Sequence, residues 1–198
     1  MPVEAPSVVA LPHGGPALWR TPLDTVELAR HVLNCRIAAP NTRAKGDRLE
    51  ALMIWLFPHL PGVSAVRRNV FSADGSQEVD VVFAYDANQG SGLDLGAFFL
   101  GECKNWKHPV DSSAVAWMDW KLKLGGVSDG ILIAANGVTG KARRREDAWH
   151  IVSRCNSDTP RRRILVLTLD QIASIQSVGD LRQLIVDRML DLTTGNSF

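Results

Sequence analysis

The chain has 198 residues, 45% of them hydrophobic and 22% charged, with a formal net charge of +1. Those numbers describe a soluble globular chain long enough for one good core, and they exclude a global basic field for binding polyanions. Cys35, Cys103 and Cys155 are far apart and form no C-x-x-C, which excludes a zinc ribbon and a disulfide framework and implies reduced thiols in the cytoplasm. The longest apolar run, Ala51 to Phe57, is too short to cross a bilayer, so no membrane partner is expected.

Residues 1–22 carry Pro2, Pro6, Pro12, Pro16 and Pro22 with Gly14-Gly15, an irregular arm whose apolar residues pack on their own domain or on a partner subunit. Pro12 interrupts the apolar stretch Val8 to Leu11, against a signal peptide. Leu23 to Ile37 reads as a helix with Val26, Leu28, Ala29, Val32 and Leu33 on one side. The arm and this helix make an N-terminal region over 1–40, ahead of the main part over 41–198, in one domain overall. Asn41 or Thr42 caps a second helix that runs to Phe57, stops before Pro58 and is buried from Leu49 onward.

Three strands follow, over Val63–Val70, Gln77–Ala84 and Ala97–Asn105, with turns at Asp74-Gly75 and at Asn88–Gly92. Val110 to Leu124 is a helix ended by Gly125-Gly126. Gly130 to Ala135 and Ile164 to Leu169 read as buried strands. Between them Thr139 caps a helix from Gly140 to about Arg154, and Asp180 caps a last amphipathic helix. Helices, an antiparallel meander, then alternating α and β imply an α/β fold with a mixed central sheet and helices on both faces.

Two of these strands carry charge where a core strand should not. Glu102 and Lys104 share one face, Cys103 takes the other, and Asp80 on the neighbouring strand can bring a second carboxylate beside them. Buried charge needs a partner or a metal. Asp80 and Glu102, with the backbone carbonyl of Cys103, offer the hard oxygen ligands that Mg²⁺ takes, and Mn²⁺ substitutes for it in such a set. Lys104 can orient the attacking water or stabilise charge on a phosphate. Glu50, on the buried helix before the sheet, needs pairing too, with Lys104 or with a second metal.

Asp80, then Glu102-Cys103-Lys104, then Asn105 to Val110 and a helix, resembles the PD-(D/E)xK nuclease superfamily, and within it the Mrr-type branch. Glu50 in Gly46-Asp47-Arg48-Leu49-Glu50 and the strand Gly130–Ala135 before Gly137-Val138-Thr139 are similar to that branch as well. Val79 stands where the motif often has proline, and the helix after the third strand has no glutamine. The resemblance spans roughly residues 44–170 on this element-by-element comparison. It implies a restriction-endonuclease-like fold and an Mg²⁺-dependent endonuclease that hydrolyses DNA, in restriction or phage defence. The catalytic set is then Asp80, Glu102, Lys104 and Glu50. Lys107, Lys121, Arg143 and Arg144 are candidates for nucleic-acid contact, double-stranded DNA is the expected partner, and a homodimer or a partner subunit supplies the second cut or the target recognition. The alternative is a weak or inactive nuclease-like module that binds DNA or a partner protein.

Beside this stand plainer expectations. Glu50 can be a structural helix residue paired to an arginine or lysine. Cys103 is a small core residue, His108 a loop histidine, and Trp117 and Trp120 serve core or dimer packing. The arginine runs 143–145 and 161–163 are balanced between solvated ends and DNA contact.

Overall fold

The computed structural model describes residues 20–71, 78–140 and 147–194. Most of the arm, the Asp74-Gly75 turn, Arg143 and Arg144 therefore lie outside the described residues.

Helix α1 (Thr25–Arg36) begins where the Asp24 side chain accepts from the N–H groups of Val26 and Glu27. It buries Leu28, Val32 and Cys35, while Val26 and Leu33, expected on the packed side, stand 80% and 59% exposed. Positions 28, 32 and 35 follow one helical stripe, and 26 and 33 fall on the opposite side of the same helix. Helix α2 (Thr42–Leu56) is capped by Asn41 and runs into a short 3-10 turn containing Pro58.

Five strands form one sheet in the order β1 (Val63–Phe71), β2 (Glu78–Tyr85), β3 (Phe98–Lys104), β4 (Asp129–Ala134) and β5 (Arg163–Leu167). The first three are antiparallel neighbours, and β3, β4 and β5 run parallel. This is the expected mixed sheet. Helices α3 (Ser112–Gly125) and α4 (Ala148–Ser157) supply the parallel crossovers.

Several ends differ from expectation because side chains, rather than periodicity, set them. Asp111 caps α3, so Val110 stays outside and bridges Val138. Gly126 closes α3 in the left-handed region at φ 62°. Helix α4 begins at Ala148 behind Asp147, not at Gly140 behind Thr139; Thr139 instead reaches its first turn from a distance, its hydroxyl accepting from the Ala148 N–H and its carbonyl from the Trp149 N–H. A five-residue helix, α5 (Leu169–Ala173), had no counterpart in the periodicity and is started by a Thr168–Gln171 capping box. Helix α6 (Val178–Thr194) starts before Asp180, which accepts from the N–H groups of Gln176 and Ser177 from inside the first turn.

Helices cover both faces, and two glycines let them sit close. Val81, Phe83, Phe99 and Gly101 face α2, with Phe83 stacked on Phe99 at 4.9 Å between centroids. A Cβ on Gly101 would strike the Met53 sulfur of α2 and come within 3.0 Å of the Phe83 ring. On the other face a Cβ on Gly130 would meet Met118 and Leu122 of α3.

The amino-terminal ends of β4 and β5 are held by ion pairs of two buried arginines. Arg163 donates to Asp129 at 2.6 Å and to Asp94 at 2.8 Å, and Arg162 donates to Asp119 at 2.6 Å. Arg162 and Arg163 are thus engaged inside the fold and not available to DNA. Trp117 and Trp120 are not core residues: they stack on each other at 5.3 Å on the outer side of α3, 49% and 39% exposed. Among the described residues no helix is long and apolar enough to cross a membrane.

Gly101→Val is expected to destabilise the fold by about 1–3 kcal/mol through overpacking against Met53. Thermal melts followed by circular dichroism should show a drop of roughly 2–4 °C per kcal/mol.

Candidate active site

The site forms where two paired strands separate. β2 and β3 pair from Ala84 with Phe98 up to Val81 with Gly101. Beyond that point β2 continues to Glu78 against β1, and β3 continues to Lys104 against β4. The Cys103 N–H, which a longer ladder would have turned to β2 backbone, donates to Asp80 Oδ2 at 2.7 Å. The N–H and C=O of one strand residue point to the same side, so the Cys103 carbonyl faces this gap too. Strand alternation puts Asp80, Glu102 and Lys104 on the face covered by α3.

Glu102 is 3% exposed and held at both oxygens. Lys104 Nζ donates to Oε1 at 2.6 Å, and Lys121 Nζ, from α3, donates to Oε2 at 2.7 Å. Lys121 was expected as a phosphate contact. Its side chain is 5% exposed, so it belongs to the interior of the site and not to a nucleic-acid surface. The sequence did carry a signal for this: Lys121 falls within the buried stripe of Val115, Met118 and Leu122, where a charged residue needs a partner.

With both ammonium groups directed to Glu102, Asp80 is left the less compensated carboxylate. Burial, with the Glu102 charge beside it, pushes Asp80 up to about 7, against the lowering effect of the Cys103 N–H and the two lysines. Burial works to lower Lys104, but the Glu102 carboxylate outweighs it and holds the ammonium above its ordinary value. Burial also raises the Cys103 thiol, which sits on the α2 side against Met53 Sδ at 3.9 Å. Cys103 is a core thiol kept protonated, as its place on the opposite face from Glu102 implies.

Glu50 approaches from α2. It pairs with Arg68 of β1 at 3.2 Å and not with Lys104, whose ammonium is taken by Glu102. Lys107 and His108 are exposed in the loop after β3. Among the described residues no group of three or more His, Cys, Asp or Glu side chains stands close enough to hold a metal ion. The oxygen donors on offer are the carboxylates of Asp80 and Glu102 and the Cys103 carbonyl. A hard cation fits Asp80 by the chemistry of its surroundings, because its Oδ2 accepts from the Cys103 N–H while the neighbouring ammonium groups bond to Glu102 instead.

No protein-family model matches the chain, and no curated protein matches it. Among solved structures it is similar to NucC of P. aeruginosa in a cAAA-bound form, with a TM-score of 0.48 at 14% identity, covering 84% of this chain and 88% of that one.

Two substitutions should act in opposite directions on the metal-free protein. The unfolded chain releases the Asp80 proton near pH 4, whereas the folded one keeps it to about 7, so this group's contribution to stability falls as pH rises across that window and is flat above it. Asp80→Asn removes the penalty, and denaturant melts should find the variant more stable than wild type at pH 8, with the gap closing toward pH 4. Glu102→Ala leaves Lys104 and Lys121 without their shared anion and should cost about 3–5 kcal/mol in the same melts.

Proposed function

We propose that this chain is a metal-dependent endonuclease that hydrolyses DNA phosphodiester bonds, with a restriction-endonuclease-like fold of the Mrr type. The observation that carries the reading is the parting of β2 and β3, which sets the Asp80 carboxylate and the Cys103 carbonyl in one gap on the side of Glu102 and Lys104. Mg²⁺, or Mn²⁺ in its place, would be held by Asp80, Glu102 and the Cys103 carbonyl. When bound it supplies a water of lowered pKa and neutralises charge on the phosphate. Lys104 is partly exposed, so it can swing from Glu102 Oε1 to orient the attacking water and meet the charge that builds on the phosphate. Lys121 is fully enclosed and keeps Glu102 oriented while Lys104 moves. Glu50 and Arg68 flank the site from the α2 side as a supporting pair. Cutting a duplex takes two such sites, so a homodimer or a partner subunit belongs to the reading, and restriction or phage defence is the setting.

One observation favours a second reading. Both oxygens of Glu102 already hold ammonium groups, so in the metal-free protein this carboxylate is satisfied by two lysines without a cation. A nuclease-like module that binds DNA without cutting it would look the same.

Plasmid cleavage with Mg²⁺ or Mn²⁺ decides for or against the enzyme: wild type should nick or linearise DNA, and Lys104→Ala should lose at least 100-fold in rate, roughly the share that one positioned catalytic group contributes. Equal rates in both proteins, or none in either, would reject it. Calorimetry with Mn²⁺ separates the two readings, because only the enzyme should show a saturable site that disappears in Asp80→Ala.

A further inference from the structure

At the carboxyl ends of β3 and β4, on the α2 side, lies a cavity of about 370 Å³ bounded by Arg36, Lys45, Asn105, Lys107, Asn136 and Asp170. We propose that it is a phosphate subsite that grips the DNA strand next to the Asp80–Glu102–Lys104 site; this rests on the nuclease reading above.

Position is the first argument. Asn105 directly follows Lys104, and Ala135 and Asn136 directly follow β4, so the cavity opens at the same end of the sheet as the reactive groups. In open α/β sheets the crevice beyond the carboxyl ends of the strands is where ligands bind.

Charge is the second. Arg36 is neutralised by Asp170 across the cavity mouth. Among the described residues the ammonium groups of Lys45 and Lys107 have no carboxylate or hydrogen-bond partner. Two lysines without an anion therefore stand in the cavity lining, although the whole chain carries only +1. Solvated lysines are common on surfaces, but these come from different elements, α2 and the β3–α3 loop, and line one concavity.

Construction is the third. Asn105 is 8% exposed, and its Nδ2 donates to the carbonyls of Cys35 at 3.0 Å and Lys45 at 3.1 Å. One buried amide thus ties the end of β3 to α1 and α2 and fixes the walls that carry the lysines. Among the described residues no aromatic ring lines the cavity to stack on a base. Recognition by charge and amide groups, without a base platform, fits a backbone phosphate and its sugar, read without regard to sequence.

The test uses the full chain in EDTA, so that nothing is cut, and follows anisotropy of a labelled duplex from about 50 to 200 mM salt. The double variant Lys45→Gln/Lys107→Gln should bind about tenfold more weakly at the low-salt end. Its slope of log K against log salt should be shallower by about 1.8, some 0.9 for each lost phosphate contact. Lys107→Gln alone, in an exposed loop, should lose about 0.9 and guards against a folding defect in the pair. Unchanged affinity and slope, or a wild type with no affinity for duplex, overturns the subsite. Titration with inorganic phosphate and with a nucleoside monophosphate tests the other sources of the same chemistry. If these bind in a lysine-dependent way while duplex affinity is unaffected by the substitutions, the strand assignment is overturned. A wild type that neither cuts nor binds Mn²⁺, with duplex binding still weakened in the variants, defeats the nuclease reading and leaves the subsite standing.

Discussion

Burying Glu102 is the constraint on which the centre of this molecule depends. An isolated carboxylate in that position would be too costly, so it is satisfied at both oxygens, by Lys104 from its own strand and Lys121 from α3. The second of these bonds ties α3 to the sheet by charge, in addition to the apolar contacts of Met118 and Leu122. It also distributes charge unevenly. Two cations attend one anion, and Asp80, in the gap between β2 and β3, is raised by its burial and by the Glu102 charge beside it.

The two ends of the sheet are built on different terms. At the amino-terminal ends of β4 and β5, arginines and aspartates close on each other: Arg162 with Asp119 and Asp158, Arg163 with Asp94 and Asp129. Arg162 and Arg163 each have two anions there, which makes that end a clasp. At the carboxyl ends the pairing is incomplete. Asp80 lacks a full counter-charge on the α3 side, and Lys45 and Lys107 lack one on the α2 side. Unpaired charge of both signs at one end is a poor way to stabilise a fold and a serviceable way to meet a metal ion and a phosphate.

The close seating of the helices makes this possible. Gly101 and Gly130, on neighbouring strands, remove the side chains that would hold α2 and α3 away from the sheet. Met53 and Met118 fill the space, flexible side chains suited to irregular gaps. Because α3 sits this close, Lys121 reaches Glu102. Because α2 sits close on the other face, Asn105 can join the end of β3 to the Lys45 carbonyl.

From sequence alone the alternation in Glu102-Cys103-Lys104 determined which two side chains share a face, and the succession of elements determined a mixed sheet, since both are local properties of period and order. The cap at Asn41 was legible for the same reason, as a polar residue at the head of an apolar pattern. Other facts were decided only by the tertiary structure. Lys121 became a partner of Glu102, and Glu50 a partner of Arg68, because pairing depends on which elements stack across the sheet, and residues far apart in sequence carry no mark of that distance. The arginines at 162 and 163 were legible as charge but not as buried charge, since their aspartates come from α3, β4 and the β2–β3 connection. The sequence could place Asp80 near the site. Only the parting of β2 from β3, a three-dimensional event in the ladder, turned its carboxylate onto the Cys103 N–H and left it short of a cation.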